Sequence, residues 1–302
     1  MRAGRTAVTS VAVVGDVVLD VVVRVRTPLA ATSDTPAETV VGRGGSGANL
    51  AVALADAGCA VTFVGAAGRD GAARLVEDDL ARHGVRAHLL RAGATTGTVV
   101  ALVDEYGQRA MLTHRGANGA LRADAVTAAL ADDVTHLHVS GYTVLDGRTR
   151  ATAATLLARA RDAGWSTSVD VCSVAPLREL GSEAFVAATR ATSMLFANAE
   201  EAAALAGRDD LDGALDALAE VYGEVLVTRG PEGAAAVRGP ERAVARARAT
   251  TVVDTTGAGD AASGAYLAAR LAGDPLAVAL EAAMAAAARV VGGLGAVPYS
   301  RE

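Results

Sequence analysis

Short valine-rich runs alternate along the chain with longer alanine–leucine segments whose apolar positions repeat every three to four residues. The runs predict strands and the segments predict amphipathic helices. The predicted strands are residues 11–15, 61–65, 136–140, 166–170, 194–197 and 224–228, and the predicted helices are residues 49–58, 71–83, 148–164, 200–206 and 211–221. Apolar strands that alternate with helices favour a mainly parallel sheet covered by helices on both faces. The predicted fold class is therefore α/β.

Two regions depart from this alternation. Residues 21–43, and residues 98–101 with 109–114, alternate apolar with polar positions around turn signals such as the Asp-Glu-Tyr-Gly sequence of residues 104–107. A period of two is typical of antiparallel strands with one covered face. We therefore expect a small β appendage, from about residues 21–43 and 97–115, on one α/β body that spans residues 1–302.

The composition of the 302 residues narrows the class of protein. A hydrophobic share of 51% excludes a disordered chain, and a net charge of −6 argues against nucleic-acid partners and anionic membrane surfaces. The apolar run of residues 11–23 contains Asp16 and Asp20, which a membrane span or a secretion signal would not tolerate. Two cysteines, Cys59 and Cys172, are too few for a disulfide scaffold. A cytoplasmic protein with free thiols is the expectation.

The chain contains no lysine. A Walker-type phosphate loop needs a lysine ammonium on the phosphates, and a Schiff base needs a lysine amine, so both kinds of chemistry are excluded. Any phosphate chemistry in this protein must use backbone amides, arginine and metal ions.

Residues 254–260, Asp-Thr-Thr-Gly-Ala-Gly-Asp, precede an alanine-rich helical segment. Gly257 and Gly259 permit close backbone approach, and the helix that follows directs free amides and the positive end of its dipole at the same point. Such a turn stabilises an anion, and Asp260 beside it is placed to accept a proton from a hydroxyl nucleophile. The alternative is an ordinary helix start with an acidic first turn.

A second glycine cluster, residues 42–49, opens the first predicted helix. It formally contains G-x-G-x-x-G, but it does not follow the first strand directly and no ribose-binding acid follows at the required distance, which disfavours a dinucleotide site. Close approach of a polyhydroxylated ligand is the preferred interpretation, with Asn49 as donor and acceptor. A glycine-rich hinge capped by Asn49 is the alternative.

In this order and separation, the two glycine stretches resemble the two signatures of the ribokinase-like (PfkB) family of carbohydrate and nucleoside kinases. The resemblance covers nearly the whole chain. It starts at residues 11–20, where an acidic residue at Asp20 closes the first strand, and runs past residues 295–298. It implies a three-layer sandwich with a mainly parallel central sheet and a small antiparallel β lid. In relatives this lid closes over the sugar and often pairs protomers, which makes a homodimer through the lid an expectation here.

The resemblance also implies the roles of individual residues. The base would be Asp260, and the amides of the anion hole would come from Gly257, Ala258 and Gly259. The residues that would hold substrate hydroxyls are Asp20, Gly45 and Asn49. On the ATP side, the implied nucleotide-binding residues are Asn198, Thr228, Gly230 and Gly233, with Glu201 positioning Mg²⁺ through water. Asp254 and Thr256 stand where some relatives bind a monovalent cation such as K⁺.

Some positions depart from the family pattern. Ser46 and Gly141 replace the lysine and glutamate of ribose-specific members, which disfavours strict ribokinase activity. Arg115 is a candidate contact for an acidic sugar. His136 and His138 share one face of a predicted strand. They are either the polar end of that strand, which is favoured, or a metal pair that lacks a visible third ligand.

The sequence thus predicts an ATP- and Mg²⁺-dependent kinase that phosphorylates a hydroxyl of a small sugar or sugar acid. A nucleoside kinase of the same family is a second hypothesis, which ranks lower because a stacked base needs aromatic side chains and only 3% of residues are aromatic. A sugar or nucleotide sensor without turnover is a third, although an intact Asp260 counts against it.

Overall fold

The computed structural model describes residues 9–104, 109–248, 250–251 and 254–292. In chain order, its strands are β1 (Ser10–Val14), β2 (Val18–Val25), β3 (Ala37–Gly44), β4 (Ala60–Ala67), β5 (Arg86–Arg91), β6 (Gly97–Val103), β7 (Arg109–His114), β8 (His136–Val139), β9 (Ser166–Asp170), β10 (Met194–Asn198), β11 (Glu224–Thr228), β12 (Ala234–Arg238) and β13 (Glu241–Ala245). Its helices are α1 (Ser46–Asp56), α2 (Gly71–Arg82), α3 (Ala123–Ala129), α4 (Gly141–Leu145), α5 (Arg150–Asp162), α6 (Val174–Leu180), α7 (Ser182–Thr189), α8 (Ala199–Ala206), α9 (Leu211–Tyr222), α10 (Ala258–Leu271) and α11 (Leu276–Val291).

The large sheet has the strand order β13-β12-β11-β10-β9-β8-β1-β4-β5. Every pair from β11 to β5 is parallel, and β12 and β13 add an antiparallel hairpin at one edge. The predicted, mainly parallel sheet is confirmed, and all six predicted strands belong to it. The alternation of patterns did not predict β5 or the β12–β13 hairpin. The edge strands β5 and β13 are covered less completely and carry a weaker apolar signal, whereas β12 is buried but consists mainly of alanine.

Helices cover both faces of this sheet, which explains why its central strands are continuous apolar runs. All five residues of β1 are buried. Val11 and Val13 pack in a core with α1, α2, α10 and α11, whereas Ala12 and Val14 pack in a second core with α3 and α5 to α9. Among the described residues, no helix combines the length and the apolar character needed to cross a bilayer.

The small sheet stands apart from the large one and has the order β3-β2-β6-β7. Its outer pairs are antiparallel, and its central pair, β2 with β6, is parallel. The sheet is the predicted lid, but one residue is placed differently from the prediction. The first strand ends at Val14 and Asp16 follows it, whereas Asp20 lies inside β2, where it pairs with Gly42 and Val99. Asp20 is therefore a lid residue and does not close the first strand.

The parallel strands of the large sheet end along a common edge. Gly15, Ser140, Val171 and Ala199 directly follow β1, β8, β9 and β10 there. In open parallel sheets this edge is where ligands bind. The lid strand β2 and the first turn of α10 reach the same edge, so the fold brings both glycine stretches of the sequence together.

Candidate active site

The first turn of α10 presents free amides to open space. Its N-cap, Gly257, has φ +76°, a left-handed conformation that favours glycine. The Ala258 amide donates to the Thr255 carbonyl at 3.2 Å, but within the described residues the Gly259 and Asp260 amides have no acceptor. A methyl group at Gly259 would meet no atom within 4 Å. The turn therefore fits an anion, with Ala258 engaged in the turn itself and Gly259 and Asp260 offering N–H groups.

Asp260 is held by two side chains from α1. Ser46 Oγ lies 2.8 Å from Asp260 Oδ1, and Asn49 Nδ2 donates to Asp260 Oδ2 at 2.9 Å. Burial raises the pKa of Asp260 to about 7, with the hydrogen bond from Asn49 opposing the shift and Asp170 adding to it. A carboxyl group that titrates near neutral pH is well suited to general-base catalysis. The structure thus joins two predicted site residues, Asn49 and Asp260, that are 211 positions apart.

The position of Asn49 depends on Arg43, which sequence reasoning missed. Arg43 is only 2% exposed; its Nη1 donates to Asn49 Oδ1, and its Nε donates to Asp79 Oδ2 at 2.7 Å. Asp79 also accepts from Arg82 at 2.8 Å. The amide oxygen of Asn49 thus already accepts one hydrogen bond from Arg43 and keeps one lone pair, and the role of Asn49 as an acceptor for ligand stays a prediction. One amide hydrogen remains for a substrate.

Asp170, at the end of β9, is a second site residue that was missed. Its Oδ2 lies 2.7 Å from Ser46 Oγ, and its Oδ1 accepts from the Gly141 amide at 2.6 Å. An acid at the carboxyl end of a predicted parallel strand was the available signal. A Cβ at Gly141 would overlap the Asp170 carbonyl oxygen, so the position that carries glutamate in ribose-specific members has no room for a side chain.

Asp20 and Gly45, both predicted to bind substrate, lie where the lid meets α1. A Cβ at Gly44 would overlap the Asp20 carboxylate, which therefore lies directly over that residue. Asp20 makes no hydrogen bond within the described residues, and burial together with the Asp16 charge raises its pKa to about 6. Gly45 is the N-cap of α1 and has φ +97°. A Cβ added at Gly45 would lie 2.6 Å from the Asp16 carbonyl oxygen. The Asp20 oxygens are thus available to substrate hydroxyls.

A groove of about 390 Å³ lies beside this centre. It is lined by Asn198, Ala199, Glu200, Leu211, Thr228, Arg229, Gly230 and Glu232. Three of the four predicted nucleotide-binding residues are in this lining. The fourth, Gly233, is not: a Cβ there would overlap the Ala245 carbonyl oxygen, so Gly233 permits close packing of the β12–β13 hairpin.

Two groups at this groove suit a polyphosphate. Asn198 and Glu201 form a reciprocal capping box at 2.9 Å, which occupies the Asn198 amide oxygen and turns its NH₂ group outward as a donor. Arg229 donates to the Glu232 carbonyl at 3.1 Å, and its buried Nε has no partner. An unpaired buried donor beside a groove is the kind of group that an anionic ligand satisfies.

Glu201 fits Mg²⁺ held through water. It is 6% exposed and has no cationic partner within the described residues. Burial raises its pKa to about 7, the hydrogen bond from Asn198 opposes the shift, and the charges of Asp170 and Glu200 add to it. No cluster of three acidic, histidine or cysteine ligands occurs in the ranges that the structure describes. Mg²⁺ commonly keeps several waters and binds through one or two carboxylates and substrate phosphates, so a single carboxylate is adequate.

The remaining candidates are placed as follows. Asp254 is buried and its Oδ1 accepts from the Thr256 amide at 2.8 Å; their role in binding K⁺ stays a prediction. The Arg115 guanidinium lies 4.1 Å from the centroid of the Tyr142 ring and 3.6 Å from Asp16 Oδ2. Arg115 is a quarter exposed, so it can still reach a ligand.

Comparison with known proteins agrees with this geometry. Residues 8–301 match the pfkB family carbohydrate kinases. The protein is therefore a phosphotransferase of the sugar and nucleoside kinase class, and the chain belongs to the PfkB family. The predicted family, ribokinase-like fold and enzyme class are confirmed.

Three relatives indicate the range of this family. An ATP-dependent ribose-1-phosphate kinase from Halopiger xanaduensis is 31% identical over 258 residues, which cover 84% of this chain and 81% of that protein. The structure of adenosine kinase from Sinorhizobium meliloti is 25% identical, with a TM-score of 0.85 over 97% of this chain and 96% of that one. A putative ribokinase II from E. coli, solved with ATP and Mg²⁺, is 22% identical, with a TM-score of 0.83 over 96% and 94% of the two chains.

Proposed function

We propose that the protein transfers the γ-phosphoryl group of ATP to a hydroxyl of a small sugar or sugar acid, with Asp260 as the general base. The observation that carries this proposal is the juxtaposition of a carboxyl group whose pKa is about 7 with two unengaged amides at the start of a helix. The carboxylate removes the hydroxyl proton while the amides stabilise the charge on the transferring group. In phosphoryl transfer, positioning and such electrostatic stabilisation supply most of the rate.

In this proposal, ATP binds in the groove beside the start of α10. The Asn198 NH₂ group, the Arg229 guanidinium and the end of β11 at Thr228 and Gly230 contact the phosphates and the nucleotide. Glu201 holds Mg²⁺ through water, and the bound ion neutralises charge on the phosphates. The relatives named ATP-dependent, or solved with ATP and Mg²⁺, support this assignment.

The acceptor binds between the lid and α1. Asp20 accepts hydrogen bonds from its hydroxyls, the remaining amide hydrogen of Asn49 donates, and Gly45 permits close approach of the ring. Arg115 supplies a cation near Asp16 for an acidic group on the sugar, either a carboxylate or a phosphate. The ribose-1-phosphate kinase relative acts on an acceptor that carries such a group.

A nucleoside is the second candidate acceptor, since adenosine kinase shares the fold. Stacking a base requires an uncovered aromatic face. Tyr142 is an aromatic side chain near the acceptor site, and Arg115 covers one face of its ring. An acidic sugar uses the same arginine productively, so we rank it first.

The lid also supports pairing with a second copy of this chain. A row of apolar side chains crosses its four strands in register, from Val41 through Val21 and Val100 to Leu112. Val41 is 50% exposed and Leu112 is 61% exposed. Contact between two lids would cover this row, and sedimentation analysis tests it: Leu112→Asp yields monomers if the row is the interface and leaves the mass unchanged if it is not.

The test of function is ADP release from Mg-ATP across a panel of pentoses, hexoses, keto-deoxy sugar acids, pentose 1-phosphates and nucleosides. Release that one class stimulates, and that Asp260→Asn abolishes, supports the proposal and identifies the acceptor. Stimulation by nucleosides alone favours the second candidate. Intact ATP binding with no stimulated release by any member favours a sensor and contradicts the proposal.

A further inference from the structure

A line of buried polar side chains leads from Asp260 away from the pocket. β8 and β9 pair with His136 opposite Ser166 and His138 opposite Ser168, so these four residues and Asp170 project from one face of the sheet. The successive contacts are Asp260 Oδ1 to Ser46 Oγ at 2.8 Å, Ser46 Oγ to Asp170 Oδ2 at 2.7 Å, Asp170 Oδ1 to His138 Nε2 at 3.7 Å, His138 Nδ1 to Ser168 Oγ at 2.9 Å, Ser168 Oγ to His136 Nε2 at 2.8 Å, and His136 Nδ1 to Ser166 Oγ at 2.7 Å.

At the pocket end, the geometry requires proton sharing. Ser46 has one hydroxyl hydrogen, yet its Oγ is within hydrogen-bond distance of two carboxyl groups, those of Asp260 and Asp170. Ser46 can donate to only one of them. The other short contact is a hydrogen bond only when that carboxyl carries a proton and donates to Ser46 Oγ. A proton on either acid can therefore move to the other through the serine.

In the middle of the line, the same argument links the two histidines. Ser168 has one hydrogen and two imidazole partners, so both contacts are satisfied when one ring donates and the other accepts. Burial lowers the pKa of His136 to about 3 and also lowers that of His138, so both rings are neutral near pH 7. A neutral ring has one N–H, so each ring nitrogen beside Ser168 is either a donor or an acceptor. If a change of tautomer turns one of them from donor to acceptor, the nitrogen of the other ring must turn from acceptor to donor.

The two ends of the histidine segment point to transfer. His138 Nε2 is fully buried, has no hydrogen-bond partner and faces the Asp170 carboxyl at 3.7 Å. At the far end, Ser166 is partly exposed. Ser166 and Asp170 are four positions apart at the two ends of β9. This distance is about 13 Å along the strand and crosses the sheet from its active-site edge to the opposite edge.

We propose that this line, Ser46–Asp170–His138–Ser168–His136–Ser166, is a proton relay that takes the substrate proton from Asp260 during phosphoryl transfer. The proposal rests on the proposed function, since the transfer of a phosphoryl group to a hydroxyl supplies the proton. A lid that excludes water during the reaction also blocks the direct route from Asp260 to solvent. The relay gives that proton a path through the protein.

The individual steps conserve protons. The substrate O–H bond breaks as its oxygen bonds to the γ-phosphorus, and the proton adds to Asp260. While Asp260 acts as the base, the proton shared by the two acids lies on Asp170. Once Asp170 has passed that proton to His138, Asp260 protonates Ser46 Oγ and Ser46 gives its own hydrogen to Asp170.

The histidine segment continues the transfer. Rotation of the Asp170 carboxyl group about its Cβ–Cγ bond brings the protonated oxygen from the Ser46 side to the His138 side and closes the 3.7 Å gap, and Asp170 then protonates His138 Nε2. Nδ1 of His138 releases its hydrogen to Ser168, Ser168 releases its hydrogen to His136 Nε2, and His136 Nδ1 releases its hydrogen to Ser166, which passes one to water. After the product leaves, a proton re-enters by the reverse steps and departs through the open pocket, which restores the tautomers without any ring rotation.

Ser168→Ala interrupts the relay in the middle of the sheet and leaves the active site intact. We expect kcat to fall about 10²-fold, the lower end of the 10²–10⁴ range of general acid–base contributions, with KM unchanged. In mixtures of H₂O and D₂O, a plot of kcat against the D₂O fraction should be curved for the natural protein, because several protons move together. The same plot should be linear for the variant. Ser168→Thr, which keeps the hydroxyl, should restore the curve.

Thr167→Val is the matched control for structural damage. Thr167 is the neighbouring buried residue of β9, and its hydroxyl makes contacts with Ala191 and Ser193 outside the relay. This control should lose stability but keep the curved dependence and most of its kcat. A Ser168→Ala variant with natural kcat and a curved dependence overturns the relay even though kinase activity is present.

A second measurement tests the relay without any substrate. In ¹⁵N-histidine spectra of the free protein, the ring nitrogens of both His136 and His138 should shift with the titration of Asp260, near pH 7. The charged and titratable groups around Asp260 are Asp16 and Asp170, with the Cys172 thiol beside Ser46. Asp260→Asn should abolish this shift in both rings, and Ser168→Ala should abolish it in His136 only. If His136 does not respond to pH in the natural protein, the relay is refuted, whatever the enzyme phosphorylates.

Discussion

Replacement of Arg43 by methionine tests how the site is held together. Arg43 is buried between Asp79 and Asn49, and methionine preserves much of its volume without its charge. The substitution leaves the Asp79 carboxylate, whose side chain is 8% exposed, with Arg82 as its remaining partner. It also removes the donor that fixes the amide oxygen of Asn49. We therefore expect losses of both stability and turnover, from two separate causes.

The stability loss follows from burial. Removing one partner of a buried ion pair costs about 3–5 kcal/mol, because the other charge stays buried without compensation. Arg82 cannot replace it, since its side chain is 71% exposed and such surface pairs contribute about 0–1 kcal/mol. For a chain of this size the loss corresponds to a decrease in Tm of roughly ten degrees. Arg26→Met, which breaks the exposed pair with Glu38, is the matched control and should cost less than about 1 kcal/mol.

A double variant separates the two losses. Arg43→Met with Asp79→Leu replaces the buried pair with apolar side chains, an exchange that is often neutral or stabilising. Urea unfolding, followed by the fluorescence of the one tryptophan, Trp165, should show that most of the stability returns. Turnover should stay low, because the Asn49 amide is still free to rotate away from Asp260. If the double variant regains full kcat together with stability, Arg43 does not position Asn49 and the reasoning is refuted.

Three further predictions concern the reaction itself. Asp260→Asn should lower kcat by about 10²–10⁴, and in the natural protein kcat/KM should rise as pH increases through about 7, where the base ionises. The folded protein retains the Asp260 proton up to about pH 7, whereas the unfolded chain loses it near pH 3.8, so the free energy of unfolding falls across that interval as pH rises. Asp260→Asn should therefore have a higher Tm than the natural protein at pH 8. An equal or lower Tm would contradict the raised pKa. Glu201→Gln should raise the half-saturating Mg²⁺ concentration in an ADP-release assay while keeping the capping box, whereas Glu220→Gln, at an exposed position outside the groove, should not. Gly257→Ala should cost about 1–3 kcal/mol of unfolding free energy, because alanine is strained at the positive φ of this position. Gly259→Ala should leave stability intact and lower kcat, because the methyl group obstructs the open side of the turn. Equal effects on stability would contradict the different backbone conformations assigned to the two glycines.

The raised pKa values of the site share one physical origin. Asp20, Glu201 and Asp260 titrate near 6, 7 and 7 because burial penalises their charged forms. As pH rises from about 4 toward 7, the unfolded chain releases these protons before the folded protein does, so each of the three groups lowers the free energy of unfolding. In the proposed function, substrate hydroxyls at Asp20, Mg²⁺ at Glu201 and the reacting proton at Asp260 would compensate these carboxylates. The site is therefore destabilised in the free protein in a way that its ligands would relieve.

Local signals in the sequence were sufficient for the central strands, several of the helices and the two glycine turns. Hydrogen bonding within a helix or between adjacent strands imposes fixed periods, so residues 71–83 predicted α2 and residues 224–228 predicted β11 correctly. Gly257 and Asp260 were found because the conformation and chemistry of a helix start depend on residues next to each other in the chain. Asn198 and Thr228 were assigned to the nucleotide through the family resemblance, and their roles stay predictions.

The environment of each side chain was decided by tertiary structure, because it depends on partners distant in the chain. Asp20 was assigned to the wrong strand, since only the pairing of β2 with β3 and β6 shows where the lid begins. Asp170 enters the site because β9 lies beside β8 in the sheet, which places its carboxyl within reach of Ser46, 124 positions earlier.

The two histidines show the same division between sequence and fold. The sequence alone established that His136 and His138 share one face of a strand. Only the register of β8 against β9 shows that serines lie between and beside them and that Asp170 continues the line toward Asp260. A periodic pattern fixes which way a side chain points, whereas its partners, its burial and therefore its proton affinity are set by packing between segments that the sequence does not place side by side.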